Sequence, residues 1–244
     1  MAGKWLFAGG VALLMAVVGL GTWRSGQILR HWTPPHNLIL SLPDNLLRLV
    51  LLGLCVGLGY LFGPGPRALG WQTDALVADA MLGVLVGLAM ALLLGVAGQV
   101  AIRRWGPRGY STKMVQCILP ANGREWPAVL LALLPAAGLE ELLFRSLPLA
   151  GLNWLVPAWW LLWPLSLLFG LLHWPQGGWG VAGTALAGLG LSFLFLATGS
   201  LWPPLVAHYV LNVSQLILAR WVGLKPLRGP APGAELRGQG VADD

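Results

Sequence analysis

The side chains most able to do chemistry are gathered in the C-terminal half of a strongly apolar chain. In Gly138-Leu139-Glu140-Glu141-Leu142-Leu143-Phe144-Arg145, two adjacent carboxylates and a guanidinium interrupt an otherwise apolar run. Each is costly in hydrocarbon, so an ionisable residue inside a membrane span is read first as functional. Glu141 and Arg145 stand one helical turn apart, where they can neutralise one another. Glu140 is rotated by about 100° from Glu141 and has no cation on its own helix. Phe169 and His173 are spaced i,i+4, as are His208 and Asn212, so each pair shares a helix face. A carboxylate and an imidazole can hold and deprotonate a water for attack on a carbonyl. A second imidazole and an amide can donate hydrogen bonds to the oxyanion that forms. These residue types suit hydrolysis of an amide. Each cluster also has a plainer role open to it: a register-fixing ion pair for Glu141 and Arg145, an interfacial hydrogen bonder for His173, and interhelical hydrogen bonding for His208 and Asn212.

The elements that position these groups follow from composition. Of 244 residues, 57% are hydrophobic and 10% charged, against roughly 25% charged in soluble domains. The mean hydropathy is +0.72. A soluble globule of this length cannot hide so much apolar side chain, and disordered chains are polar and charged. The apolar runs are also too long for the strands of a membrane barrel. They lie at Trp5–Thr22, Leu46–Phe62, Ala75–Ile102, Pro127–Gly151, Trp154–Trp174, Trp179–Thr198 and Ser200–Ala219. Each is long enough to cross roughly 30 Å of hydrocarbon at 1.5 Å per residue. The predicted fold is all-α: a polytopic transmembrane helix bundle of seven spans, or eight if the long third run divides. Residues 1–126 form N-terminal helices and a loop, 127–219 a catalytic helix core, and 220–244 a disordered tail.

Local signals refine this. Asp74 reads as a helix N-cap, and Gly83-x-x-x-Gly87 as a close-packing face inside the bundle. A tilt, or a break at Pro135 and Gly138, would bring Glu140 closer to the membrane edge. The basic residues of the loops and flanks fall on one side of a seven-span topology, save Lys4 and Arg67. That asymmetry predicts a multi-pass protein of the cell membrane, with the 103–126 loop and the C-terminus cytoplasmic and the N-terminus outside. The net charge of +6 is thereby a topological signal, and no nucleic-acid partner is expected. Cys55 and Cys117 form no metal or redox motif. HExxH, GxSG and GxGD are absent, so the metal ligands, serine nucleophile and aspartate dyad of other intramembrane proteases are missing.

EExxxR at Glu140–Arg145, FxxxH at Phe169–His173 and HxxxN at His208–Asn212, in this order, resemble the three motifs of the CPBP family of CAAX proteases and bacteriocin-processing enzymes. That family includes the type II CAAX prenyl endopeptidases. Thr198–His208 is also similar to the family's approach to its third motif, and the resemblance covers about residues 127–219. It implies that Glu140 activates water with His173 as its partner, and that His208 and Asn212 form the oxyanion hole. Glu141, Arg145 and Phe169 would support the site. It also implies a peptide or protein substrate, with or without a lipid, reached among membrane lipids, and chemistry with no cofactor. A divalent metal such as zinc, held by the histidines and glutamates, stands as the alternative. The competing function is a non-catalytic membrane transporter, or an immunity or scaffold protein, with Glu140 and His173 relaying protons.

Overall fold

The computed structural model describes residues 1–230. Every apolar run is helical: α1 (Ala2–His31), α2 (Leu42–Phe62), α3 (Leu76–Trp105), α5 (Glu125–Glu141) continued by a π-helix (Leu142–Ala150), α6 (Ala158–Leu172), α7 (Gly177–Thr198) and α8 (Trp202–Trp221). The remaining helix, α4 (Lys113–Ile118), has six residues and lies in the connection from α3 to α5, too short to cross anything. The third run stays one helix of 30 residues. Among the described residues five segments are long and apolar enough to span: α1, α2, α3, Glu125–Ala150 and Trp174–Thr198. The segment Glu125–Ala150 is the most enclosed of these, with 44% of its most apolar stretch buried against 11% for α1 and for α3. It is the axis of the bundle.

The packing inverts the soluble pattern. Leu85, Leu92 and Leu93 of α3 and Trp160 of α6 are exposed, whereas Glu141, Arg145, Ser146, Ser166, Ser192 and His208 are buried. Lipid is as apolar as leucine, so helices associate through small residues and internal polar contacts. Gly83 and Gly87 show the first device. A Cβ at Gly83 would lie 2.7 Å from the Pro203 carbonyl oxygen, and one at Gly87 2.7 Å from that of Ala207. The glycine pair therefore seats α3 directly on the backbone of α8.

The two ends of the bundle are closed differently. At one end the short connections are laced together: Ser111 N–H donates to Gln176 O at 2.8 Å, Leu227 N–H to Gln116 O at 3.0 Å, and Gly229 N–H to Pro34 O at 2.9 Å. Arg228 donates to the carbonyls of Gln116, Cys117 and Leu119. Of the segment 220–244 expected to be disordered, residues 220–221 complete α8 and 222–230 run across this end. Residues 231–244 lie outside the described residues.

At the other end the α2–α3 connection tucks inward. Leu69 is fully buried, its carbonyl accepting from Ser146 Oγ at 2.8 Å, while Trp71 Nε1 donates to the same Ser146 Oγ at 2.7 Å. Leu201 N–H donates to Gly70 O at 2.8 Å. Gly70 has φ +77°, a left-handed conformation that a side chain would resist. Asp74 does not cap α3. Its carboxylate pairs with Arg67 at 2.7 Å, and the Ala75 N–H is met by Thr73 Oγ1. The exposed guanidinium simply offers a charged partner where the cap offers a neutral one.

Pro135 and Gly138 both stand inside α5. α5 runs through both, and the helix widens to π geometry only from Leu142. Pro148, inside that segment, supplies a cause. In an α-helix its ring would meet the carbonyl of Phe144, and it has no N–H to donate.

Candidate active site

The EExxxR residues sit where α5 passes into the π-helix, at the axis of the bundle. Glu141 is completely enclosed, with 0% of its side chain exposed and Arg145 at 1%. Arg145 Nη1 donates to Glu141 Oε1 at 2.8 Å, and Nη2 reaches the Gly188 carbonyl at 3.3 Å. Arg145 also lies 4.6 Å from the centre of the Phe169 ring, a cation–π contact in a water-poor site. His208 on α8 makes the third contact, with Nδ1 2.6 Å from Glu141 Oε1. Since a carboxylate shared with a guanidinium can only accept, Nδ1–H is the donor, and Nε2 is left facing away from Glu141. Glu141 Oε2 and Arg145 Nε remain without partners in the protein.

Glu140, one residue earlier, has a different setting. Its side chain is 33% exposed, and it makes no direct hydrogen bond or ion pair with a cationic side chain other than His208 among the described residues. Its Oε2 stands 3.6 Å from His208 Nε2. His208 thus bridges the two glutamates, Nδ1 toward Glu141 and Nε2 toward Glu140.

His173 closes α6, and its Nδ1 lies 2.7 Å from Phe169 O. A carbonyl can only accept, so Nδ1 carries the proton and Nε2 is free. The His173 ring packs on Phe169 at 4.9 Å between centroids, and His208 meets the same phenyl ring at 5.9 Å in an edge arrangement. Phe169 is therefore the apolar wall common to both histidines and Arg145. Gly188 on α7 makes room for it, since a Cβ there would lie 3.0 Å from a Phe169 ring carbon. Asn212, one turn beyond His208, is half-buried. The three motifs converge on one site. No ion pair joins Glu140 to His173 among the described residues; the imidazole within ion-pair range of Glu140 is His208. Interhelical distances leave no trace in a sequence, so spacing along each helix could not rank the two histidines.

Sequence reasoning also passed over Arg48, which by position counts with the interfacial cations. It lies on α2, where its Nη1 donates to Asn45 Oδ1 at 3.2 Å. The signal available was a charge within the first turns of an apolar run. As for metal, no three His, Cys, Asp or Glu side chains converge as a ligand set among the described residues.

The helical bundle thus closes around two carboxylates, two imidazoles and a guanidinium. Residues 122–214 match the family described as type II CAAX prenyl endopeptidase, Rce1-like, so this segment is similar to that family. No curated protein and no solved structure matches the chain.

Proposed function

We propose that the protein is a glutamate-dependent intramembrane endopeptidase. The observation that carries this is the asymmetry of the two glutamates. Glu141 is enclosed and spent on Arg145 and His208, whereas Glu140 is open and unspent beside an oriented imidazole. In this reading Glu140 takes a proton from a water, and the resulting hydroxide attacks the scissile carbonyl. The proton passes to the leaving amine nitrogen as the C–N bond breaks. His173, with Nε2 free, is the partner of Glu140 in moving that proton. His208 and Asn212 donate to the oxyanion, His208 from Nε2–H as an imidazolium held by Glu141. The 3.6 Å approach of His208 Nε2 to Glu140 favours a second arrangement, in which His208 and Glu140 hold the water together. Replacing each histidine separately distinguishes the two.

The chemistry is read as metal-free, with Glu141 Oε1 and His208 Nδ1 committed to one another. A divalent metal such as zinc held by Glu140 and the histidines is the alternative, and an unchanged rate after thorough chelation is the outcome expected of the metal-free site. The laced, basic end of the bundle faces the cytoplasm in this reading, with the 103–126 loop and the C-terminus inside, in the cell membrane. The substrate is a peptide or protein, with or without a lipid. The deciding experiment compares peptide release in membranes carrying the wild type and Glu140→Gln, an isosteric loss of charge. Loss of cleavage with retained protein supports the enzyme. Cleavage by both overturns the assignment, and cleavage by neither favours a transport, immunity or scaffold role.

A further inference from the structure

His173 stands where regular helix ends. It closes α6 with φ −94° and ψ 18°, and the chain then makes a single 3₁₀ turn, Trp174–Gln176, before α7 begins. The contact of Nδ1 with Phe169 O at 2.7 Å fixes how the imidazole is turned. Where the imidazole sits depends also on what holds the residues to either side of it.

Those residues meet α1, a helix that carries none of the three motifs. A Cβ at Gly19 would lie 3.9 Å from Leu172 Cδ2, and one at Gly26 2.5 Å from Trp174 Cζ2 and 3.0 Å from Pro175 Cγ. One turn past Gly26, the Arg30 guanidinium lies over the Trp174 ring, 4.2 Å from its centre, within the range of a cation–π contact. At 100° per residue, Gly19, Gly26 and Arg30 fall within about 40° of one another. One stripe of α1 therefore grips the chain on both sides of His173. Trp174 Nε1 is enclosed with no hydrogen-bond partner among the described residues, so the indole is held by its faces and edges. On the other side of the turn, Ser111 N–H donates to Gln176 O at 2.8 Å, and a Cβ at Gly177 would lie 2.5 Å from Gly109 O. The turn after His173 is clasped between α1 and the 107–111 segment. A cation serving topology alone needs no aromatic partner, yet Arg30, exposed at the end of α1, is stacked on the residue next to His173.

We propose that Gly26 and Arg30 are positioning residues, which set His173 in place by clasping Trp174 against α1. This rests on the endopeptidase reading, in which His173 moves a proton with Glu140. A group that moves a proton must come within a hydrogen bond, or one water, of the atom that gives or takes it. A displacement of about 1 Å from that geometry costs on the order of 10²-fold in rate. Gly26 supplies the room for the indole at the α1 backbone, and Arg30 supplies the contact that keeps it there. Neither touches the substrate; both act through Trp174 on the residue before it.

The test uses the full chain in lipid vesicles and has two readouts. The first is cleavage of a peptide whose hydrolysis Glu140→Gln abolishes. Arg30→Ala should lower kcat roughly tenfold with KM unchanged, Arg30→Lys should restore most of it because the cation over the ring is kept, and Gly26→Ala should cost about 10²-fold. The second readout does not need activity. The chain has four histidines, and in a nitrogen-15 NMR spectrum of labelled imidazoles the His173 signals are those lost in His173→Gln. In wild type they should report one tautomer, with the proton on Nδ1. In Arg30→Ala and Gly26→Ala they should shift toward tautomer averaging while the His208 signals stay in place. Arg30 is exposed, so its variants carry the test if Gly26→Ala does not accumulate. His173 signals that match wild type in the variants overturn the proposal. So do signals of His173 and His208 that move together, since that is general loosening of the bundle. A selective shift at His173 in a protein whose wild type cleaves no peptide would sink the endopeptidase reading and leave the clasp standing.

Discussion

Glu140 and Glu141 are neighbours in the chain, yet they face two unlike regions. On the Glu141 side everything is closed: a guanidinium, an imidazole and the Phe169 ring fill the space. Glu141 Oε1 accepts from the guanidinium and the imidazole, while Oε2 and Arg145 Nε are enclosed without a protein partner. On the Glu140 side the carboxylate is partly exposed, and the nearest imidazole approaches only to 3.6 Å. The helical period produces this division, since one residue turns a side chain by about 100°. The closed region holds the open one in place. A buried ion pair adds little net stability but is costly to break, which makes it a fastener. Chemistry is assigned to the side where contacts are missing.

Substitutions should separate the two regions. The largest expected effect is on the open side: Glu140→Gln should lower peptide hydrolysis by about 10³-fold or more while the protein accumulates and unfolds as wild type does. Near-normal turnover would erase the functional difference between the two glutamates. Next come the histidines, which touch different regions. His173→Gln should cost about 10²-fold or more in rate with thermal stability kept. His208→Gln should lose rate and stability together, because it strips a partner from a buried carboxylate. Matching melting curves for these two variants would dissolve the distinction.

On the closed side, Glu141→Ala and Arg145→Ala should each destabilise by about 3–5 kcal/mol through the uncompensated charge, read as lower yield and a lower Tm. A joint replacement by apolar residues should recover Tm without activity. Away from both regions, Gly87→Ala should cost about 1–3 kcal/mol by forcing α3 off α8, detectable in thermal unfolding. The smallest effect should come from Trp71→Phe, about 1 kcal/mol for one lost hydrogen bond to Ser146, read in thermal unfolding.

The membrane helices were legible because each apolar run is continuous and flanked by charge, glycine or tryptophan. The site's helix faces were legible as well, since i,i+4 spacing is a property of a single helix. Three things were hidden for related reasons. The short α4 has too few turns to show a period. The contact of His208 with Glu141 joins residues 67 positions apart, and no local pattern encodes such a distance. The π segment carries no distinctive spacing of its own; Pro148 marks a disturbance in the helix, but Pro135 marks one too and the helix there stays α. Asp74 shows the converse failure, a sound local rule overridden by a neighbouring cation.

The wide turn from Leu142 to Ala150 is a buffer of chain length. A π segment accommodates a residue that a tighter helix would not contain. Deleting one residue there would let the helix relax to the commoner form with the segments on either side still in phase. Deleting one from α5 ahead of it has no such outlet: everything downstream would turn by about 100° and move by about 1.5 Å. Ser146 would then leave Leu69 and Trp71, and the link that seats the inner connection would open. Point substitutions in α5 and changes of its length are therefore different kinds of event, and α5 should drift in letters long before it drifts in number.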